Sequence, residues 1–80
     1  MMWESAVPMT DLVVGAVARF QGSGLGAADL ALLQALGLSI NCRFRVCQTG
    51  DPWIVQVRET RIGLAAAVAR QIQAVPEAAG

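Results

Sequence analysis

The chain contains no histidine and no tyrosine among its 80 residues. Histidine is the most frequent general base and the most frequent metal ligand in proteins, so its absence removes both at once. A Ser, Thr or Cys nucleophile would still need a base, and only six carboxylates remain to supply one. They are scattered among predicted turns and helix ends. The sequence therefore predicts a protein that is not an enzyme and has no catalytic residues.

Charge of either sign is scarce. Six arginines balance six acidic residues, and charged residues make up 15% of the chain, against roughly 25% in an average globular domain. A net charge of zero creates no field that would recruit nucleic acid through counterion release, so no nucleic-acid partner is expected. Hydrophobic residues account for 55% of the chain, which argues against disorder.

Long hydrophobic runs are also missing. A membrane span needs about 18 or more nearly uninterrupted apolar residues, and none exists here, so no membrane insertion is expected. Glu4 stands where a signal peptide would carry positive charge, and no long apolar segment follows it. We expect a cytoplasmic protein with one compact domain, which is all that this length allows.

Only two cysteines are present, Cys42 and Cys47. They lie in one predicted strand on opposite faces, roughly 16 Å apart, whereas a disulfide needs Cα atoms within about 7 Å. We expect two free thiols, as in a reducing compartment. Zinc needs four ligands, so no metal and no cofactor is expected in one chain. For Cys47, an adventitious metal site across a dimer and an ordinary surface cysteine both stay open.

Short alternating segments dominate the sequence. Strands are predicted over 16–21, 42–47, 53–58, 61–64 and 72–75, and helices over 27–36 and 65–70. Gly50-Asp51-Pro52 and residues 59–60 are predicted turns, and the alternation directs Phe44, Val46 and Trp53 into the core. So many short strands around one helical insertion favour a mainly β fold, a small barrel with two short helices.

Residues 10–75 are predicted to form this domain, with an N-terminal extension over 1–9 and a disordered tail over 76–80. The glycine-rich run over 22–26 precedes the first helix and invites comparison with a phosphate-binding loop. It lacks the Lys-Ser/Thr pair of such loops, and Asp29 at the start of the helix would repel phosphate. We interpret the run as a connecting loop.

The first predicted helix has two apolar faces. On a helical wheel Leu25, Leu32 and Leu36 form one stripe, which is predicted to face the core. Leu30 and Leu33 project away from that stripe. Either the loop over 22–26 covers them, or they are exposed and form a protein contact.

Three arginines, Arg43, Arg45 and Arg58, have matching parity across the predicted hairpin and are predicted to share one outward face. Such a face is either an ordinary solvated sheet surface or a contact patch for an acidic partner. Together with Leu30 and Leu33, these arginines are the candidate partner-binding residues.

An ordered set of segments resembles the FeoA family. The segments are Leu33-Gln34-Ala35-Leu36-Gly37-Leu38, Phe44 with Val46, Gly50-Asp51-Pro52, Val55-Gln56-Val57-Arg58, Arg61-Ile62-Gly63-Leu64, and Ala69 with Ile72. The resemblance runs from about Thr10 to Val75. It implies an SH3-like barrel that works in the cytosol beside the FeoB transporter of ferrous iron, a membrane protein with a GTPase domain. It also implies that the chain binds this partner and does not carry iron.

The chain departs from the family pattern at three places, one of which is the segment before Gly50-Asp51-Pro52, which is shorter than in family examples and trims the tip of the hairpin. Ile40-Asn41 stands where the family often has Pro-Gly, and Asn is among the few non-glycine residues that tolerate the left-handed conformation. Ala65, Ala66 and Val68 stand where family members commonly carry charges, so a charged surface has become apolar.

A second function stays open beside the first. The chain could be a free-standing SH3-like adaptor related to the C-terminal domain of metal-dependent transcriptional repressors. Those repressors carry a DNA-binding helix-turn-helix and metal ligands elsewhere, and nothing in this chain supplies either. A weak homo-oligomer also stays open.

Overall fold

A computed structural model describes residues 6–39 and 41–77. The described strands are β1 Val7–Pro8, β2 Val17–Ser23, β3 Arg43–Gln48, β4 Trp53–Val57, β5 Thr60–Leu64 and β6 Ile72–Pro76, and the helices are α1 Ala27–Ala35 and α2 Ala66–Ala69. A short 3₁₀ helix, Met9–Asp11, follows β1. The strands form one antiparallel sheet in the order β1-β6-β2-β3-β4-β5. The predicted fold, mainly β with two short helices, is confirmed.

The core lies on one face of this sheet, as the alternation in β3 and β4 predicted. Phe44 and Val46 are buried while the arginines between and beside them are exposed. In β4 the buried residues are Trp53, Val55 and Val57, and Trp53 is 6% exposed. The prediction that Trp53 is a core residue is confirmed.

The predicted core stripe of α1 is wrong. Leu33 is 3% exposed, whereas Leu32 and Leu36 are 60% and 43% exposed. The error came from Leu25, which lies before the helix and therefore does not belong on its wheel. Without Leu25, the partly buried Leu30 and the buried Leu33 mark the inner face, because residues three apart are neighbours on a helix.

The C-terminus of α1 explains why Leu33 is the residue that is held in the core. Gly37 has a φ of 107°, and its N–H donates to the Gln34 carbonyl at 3.0 Å. The N–H of Leu38 donates to the Leu33 carbonyl at 2.9 Å. This pair of bonds is a Schellman motif, in which the side chains of the two residues joined by the longer bond commonly pack together. Both Leu33 and Leu38 are buried.

Part of the segment predicted as an N-terminal extension joins the sheet. Val7 and Pro8 pair with Ala74 and Gln73 of β6, and Met9 is fully buried. A two-residue strand has no alternation that a sequence pattern could reveal. Residues 1–5 of the predicted extension and 78–80 of the predicted disordered tail lie outside the described residues.

Two predicted connections also differ from the structure. β2 continues to Ser23, so the glycine-rich loop is shorter than 22–26. A bulge between Phe20 and Gly22 in the pairing with β6 breaks the alternation there. The turn between β4 and β5 lies at 58–59, one residue before the predicted position, and Arg58 adopts a φ of 56° in it.

Candidate partner-binding surface

The register of the sheet collects arginines on its outer face, the face opposite the core. Directly opposed residues of neighbouring strands lie on the same face. Arg43 is opposite Arg19 of β2, and Arg45 is opposite Gln56 of β4. Gln56 is in turn opposite Arg61 of β5. Four arginines from three strands therefore share one surface.

Arg58 borders the same surface from the turn between β4 and β5. A groove of about 240 Å³ is lined by the three predicted arginines together with other residues of β2, β3 and β4: Val17, Arg43, Phe44, Arg45, Gln56 and Arg58. We call this the arginine groove. The structure thus brings Arg43, Arg45 and Arg58 together, and their role in binding a partner stays a prediction.

One carboxylate reaches the arginine groove. The Nε of Arg43 lies 2.8 Å from Oε2 of Glu77, and its Nη2 donates to Oε1 of Glu77 at 3.0 Å. The N–H of Glu77 donates to the Val17 carbonyl at 2.9 Å, which fixes the backbone beside β2. Within residues 6–39 and 41–77, neither Arg45 nor Arg58 has an ion-pair partner.

The arginines are concentrated on one face of the sheet, where Glu59, next to Arg58 in the turn, and Glu77, paired with Arg43, lie beside them. Arg70 follows α2, and the other five of the six arginines lie on or beside the outer sheet face. Asp11, Asp29 and Asp51 lie in other elements, namely the 3₁₀ helix, α1 and the turn between β3 and β4. Composition alone missed this surface because a net charge averages over all faces.

Asp51 has a structural role within its turn. Its Oδ1 accepts a hydrogen bond from the N–H of Ala66 at 3.2 Å, at the first residue of α2. This bond satisfies one of the backbone donors that a helix leaves unpaired at its start. The Gly50-Asp51-Pro52 segment thereby ties the hairpin to α2.

The second exposed surface is apolar. Leu32 and Leu36 project outward from α1 and line a groove with residues of β5 and α2: Asp29, Leu32, Leu33, Leu36, Gly63, Leu64, Ala65 and Val68. We call this the α1 groove. Leu30 is partly buried and Leu33 is buried, so the exposed leucines of α1 are those predicted for the core. The glycine at position 37, which sets the end of the helix, was the signal that could have corrected the assignment.

Both cysteines are free and partly buried. The thiol of Cys42 donates to the Gly37 carbonyl at 3.4 Å. The Sγ atom of Cys47 lies 3.9 Å from Oε1 of Gln56 on the outer face. Groups of three or more potential metal-ligating residues are absent from the described part of the chain. No described helix is both long and apolar enough to cross a membrane.

Comparison with known proteins adds a family. The FeoA domain model matches residues 7–76 of this chain. No curated protein sequence matches it significantly. The fold is similar to that of an iron uptake regulatory protein (FeoA), with a TM-score of 0.81, 18% identity, and coverage of 91% of this chain and 99% of that one.

Two further structures have the same fold. The FeoA protein from Chlorobium tepidum has a TM-score of 0.85 at 21% identity, over 90% of this chain and 71% of that one. IdeR from T. acidophilum has a TM-score of 0.84 at 19% identity, over 96% of this chain and 37% of that one. The similarity to FeoA proteins and to the SH3-like domain of IdeR confirms the predicted SH3-like fold.

Proposed function

The chain belongs to the FeoA family, and on that premise we propose that it is a non-catalytic accessory protein of bacterial ferrous iron uptake. It acts by protein contact with the cytoplasmic GTPase region of a FeoB-like transporter. The observation that carries this proposal is the match of the FeoA domain to residues 7–76, nearly the whole sequence. The domain itself is therefore the part that makes the contact.

The distribution of polar groups supports a role without catalysis. Catalytic acids, bases and nucleophiles are commonly placed in partly desolvated sites that perturb their pKa values. Within the described ranges, no polar or charged residue is buried. The chain also has no histidine that could act as a base. What the described surface offers is an arginine face and an apolar groove, both suited to binding another macromolecule.

The proposed function implies a cytoplasmic location. The GTPase region of the proposed transporter faces the cytoplasm, so its partner must act there. The two cysteines are free thiols and carry no disulfide, as expected for a protein in a reducing compartment.

The similarity to IdeR supports the alternative function, a free-standing SH3-like adaptor. IdeR contains this fold in 37% of its chain, so the same domain works there as one module of a larger protein. An adaptor of this kind would bind a protein other than the transporter. The two functions differ in the partner and not in the mode of action.

Binding to the transporter separates the two functions. The wild-type chain is immobilised, and the purified GTPase region of the FeoB-like transporter from the same genome is passed over it with GDP or a non-hydrolysable GTP analogue. Ferrous iron uptake is measured in cells with and without the gene. We expect saturable binding in at least one nucleotide state and reduced uptake in the deletion. No binding in either state together with unchanged uptake would favour the adaptor.

A further inference from the structure

We propose that the arginine groove is the binding site for an acidic segment of the partner protein, and that Glu77 of this chain engages one of its arginines, Arg43, in the unbound state. The identity of the partner rests on the proposed function, whereas the chemistry of the site rests on the groove itself. Glu77 then acts as an internal competitor that a partner must displace.

The groove has the donors that carboxylates need. Every basic residue of the chain is arginine, whose planar guanidinium presents its donors in a fork that matches a carboxylate. Arg43, Arg45 and Arg58 line one groove, and the half-buried Val17 contributes an apolar side chain to it. An extended acidic segment could engage these arginines in succession while its backbone lies along the groove.

Glu77 shows that an arginine of this groove pairs with a carboxylate. Both of its oxygens contact Arg43, at 2.8 Å and 3.0 Å. The side chain of Arg43 remains 68% exposed in this pair. An exposed ion pair stabilises a fold only weakly, so a ligand that reaches several arginines at once can displace it.

The observations favour a protein ligand over a nucleic acid or an anionic membrane. Arg43, which lines the groove, already holds a carboxylate in a two-oxygen contact. Arg45 and Arg58 have no ion-pair partner among the described residues, and they would bind two more carboxylates of a short segment.

The first test measures binding of a labelled oligoglutamate peptide to the full chain by fluorescence anisotropy at several salt concentrations. We expect saturable binding that weakens with salt, because the pairs are exposed. Arg45→Gln should weaken it about threefold, and Arg45→Gln combined with Arg58→Asn about tenfold, as expected from the loss of one and two exposed pairs. Asn suits position 58 because it tolerates the positive φ found there.

Arg70→Gln is the matched control, since it changes the net charge by the same amount at a site after α2. Its peptide affinity should equal that of the wild type. Thermal melting of each variant checks the fold. An equal loss of affinity in Arg70→Gln and Arg45→Gln would overturn the site, because binding would then follow net charge alone.

The internal competitor is tested by Glu77→Gln. The substitution removes the carboxylate and keeps the size of the side chain. It should raise the peptide affinity roughly threefold, because the peptide no longer has to break one exposed ion pair. An unchanged or lower affinity would overturn the role of Glu77. Tighter binding of anionic phosphatidylglycerol vesicles or of a single-stranded oligonucleotide than of the peptide would overturn the choice of ligand.

The transporter experiment separates this site from the proposed function. If the GTPase region binds the wild type and the combined Arg45→Gln and Arg58→Asn variant equally, the proposed function stands and the arginine groove is wrong as the interface. If the peptide binds with the expected variant pattern and the GTPase region does not bind, the site stands and the proposed partner is wrong.

Discussion

The arginine groove and the α1 groove differ in chemistry and in how firmly the fold holds them. The arginine groove is built from side chains that extend from strands into solvent, and its one visible pair, Arg43 with Glu77, is exposed. The α1 groove is apolar, and its floor includes the buried Leu33. Changes on the arginine side should therefore alter binding with little effect on folding, whereas changes in α1 affect folding or binding according to the face they touch.

Leu33→Asp should produce the largest effect. The substitution removes a buried leucine and places a charge in the core, so the free energy of unfolding should fall by at least about 4 kcal/mol. Leu32→Asp is the matched control, because Leu32 is exposed on the same helix. Urea denaturation should find Leu33→Asp largely unfolded and Leu32→Asp close to the wild type. The opposite order would restore the stripe predicted from the wheel.

Trp53→Ala tests how much the core next to the α1 groove contributes to the free energy of unfolding. Trp53 is buried and opposite Leu64, which lines the α1 groove. Emptying a large aromatic site should cost about 3 to 4 kcal/mol. The substitution removes the buried tryptophan whose fluorescence would report unfolding, so unfolding is followed by far-UV circular dichroism. A urea midpoint close to that of the wild type would show that Trp53 contributes little to the core.

Gly37→Ala tests the Schellman motif that ends α1 and places Leu33 in the core. Gly37 has a φ of 107°, while the nearest atom to an added Cβ would be Cγ1 of Val57 at 4.0 Å. The cost is therefore backbone strain without a clash, about 1 to 2 kcal/mol. Gly63→Ala is the control, since it meets open space at an ordinary φ. Equal melting temperatures for the two variants would contradict a structural need for glycine at 37.

Glu77→Gln should have the smallest effect on stability. The pair with Arg43 is exposed, so its loss should lower the free energy of unfolding by less than about 1 kcal/mol, and salt should reduce the difference further. Denaturation at low and high salt measures it. A larger loss that salt does not reduce would mean that Glu77 is a structural residue and not a displaceable ligand.

The pattern of apolar residues was enough to predict the strands that form the hairpin and which of their residues are buried. Buried and exposed residues alternate along β3 and β4. A shift of one residue would move every apolar side chain to the solvent face, so only one assignment of faces buries the apolar residues. The sequence also predicted that Asn41 tolerates the left-handed conformation, and its φ of 67° lies in that region. These features depend on local spacing and on the conformational range of single residues.

Other features depend on contacts between segments that are distant in the sequence, among them the inner face of α1, the pairing of β1, and the addition of Arg19 and Arg61 to the three arginines predicted for the outer face. In α1, nine residues with leucines on several sides allow two inward faces, and the Schellman motif at Gly37 with the buried Leu38 selects one. The pairing of Val7 with β6 could not be predicted either, because a strand of two residues is too short to show an alternating pattern. The arginine face arises from the register of three strands, because a cross-strand pair such as Arg19 with Arg43 joins residues far apart in the sequence. Charge composition carries no information about such pairs.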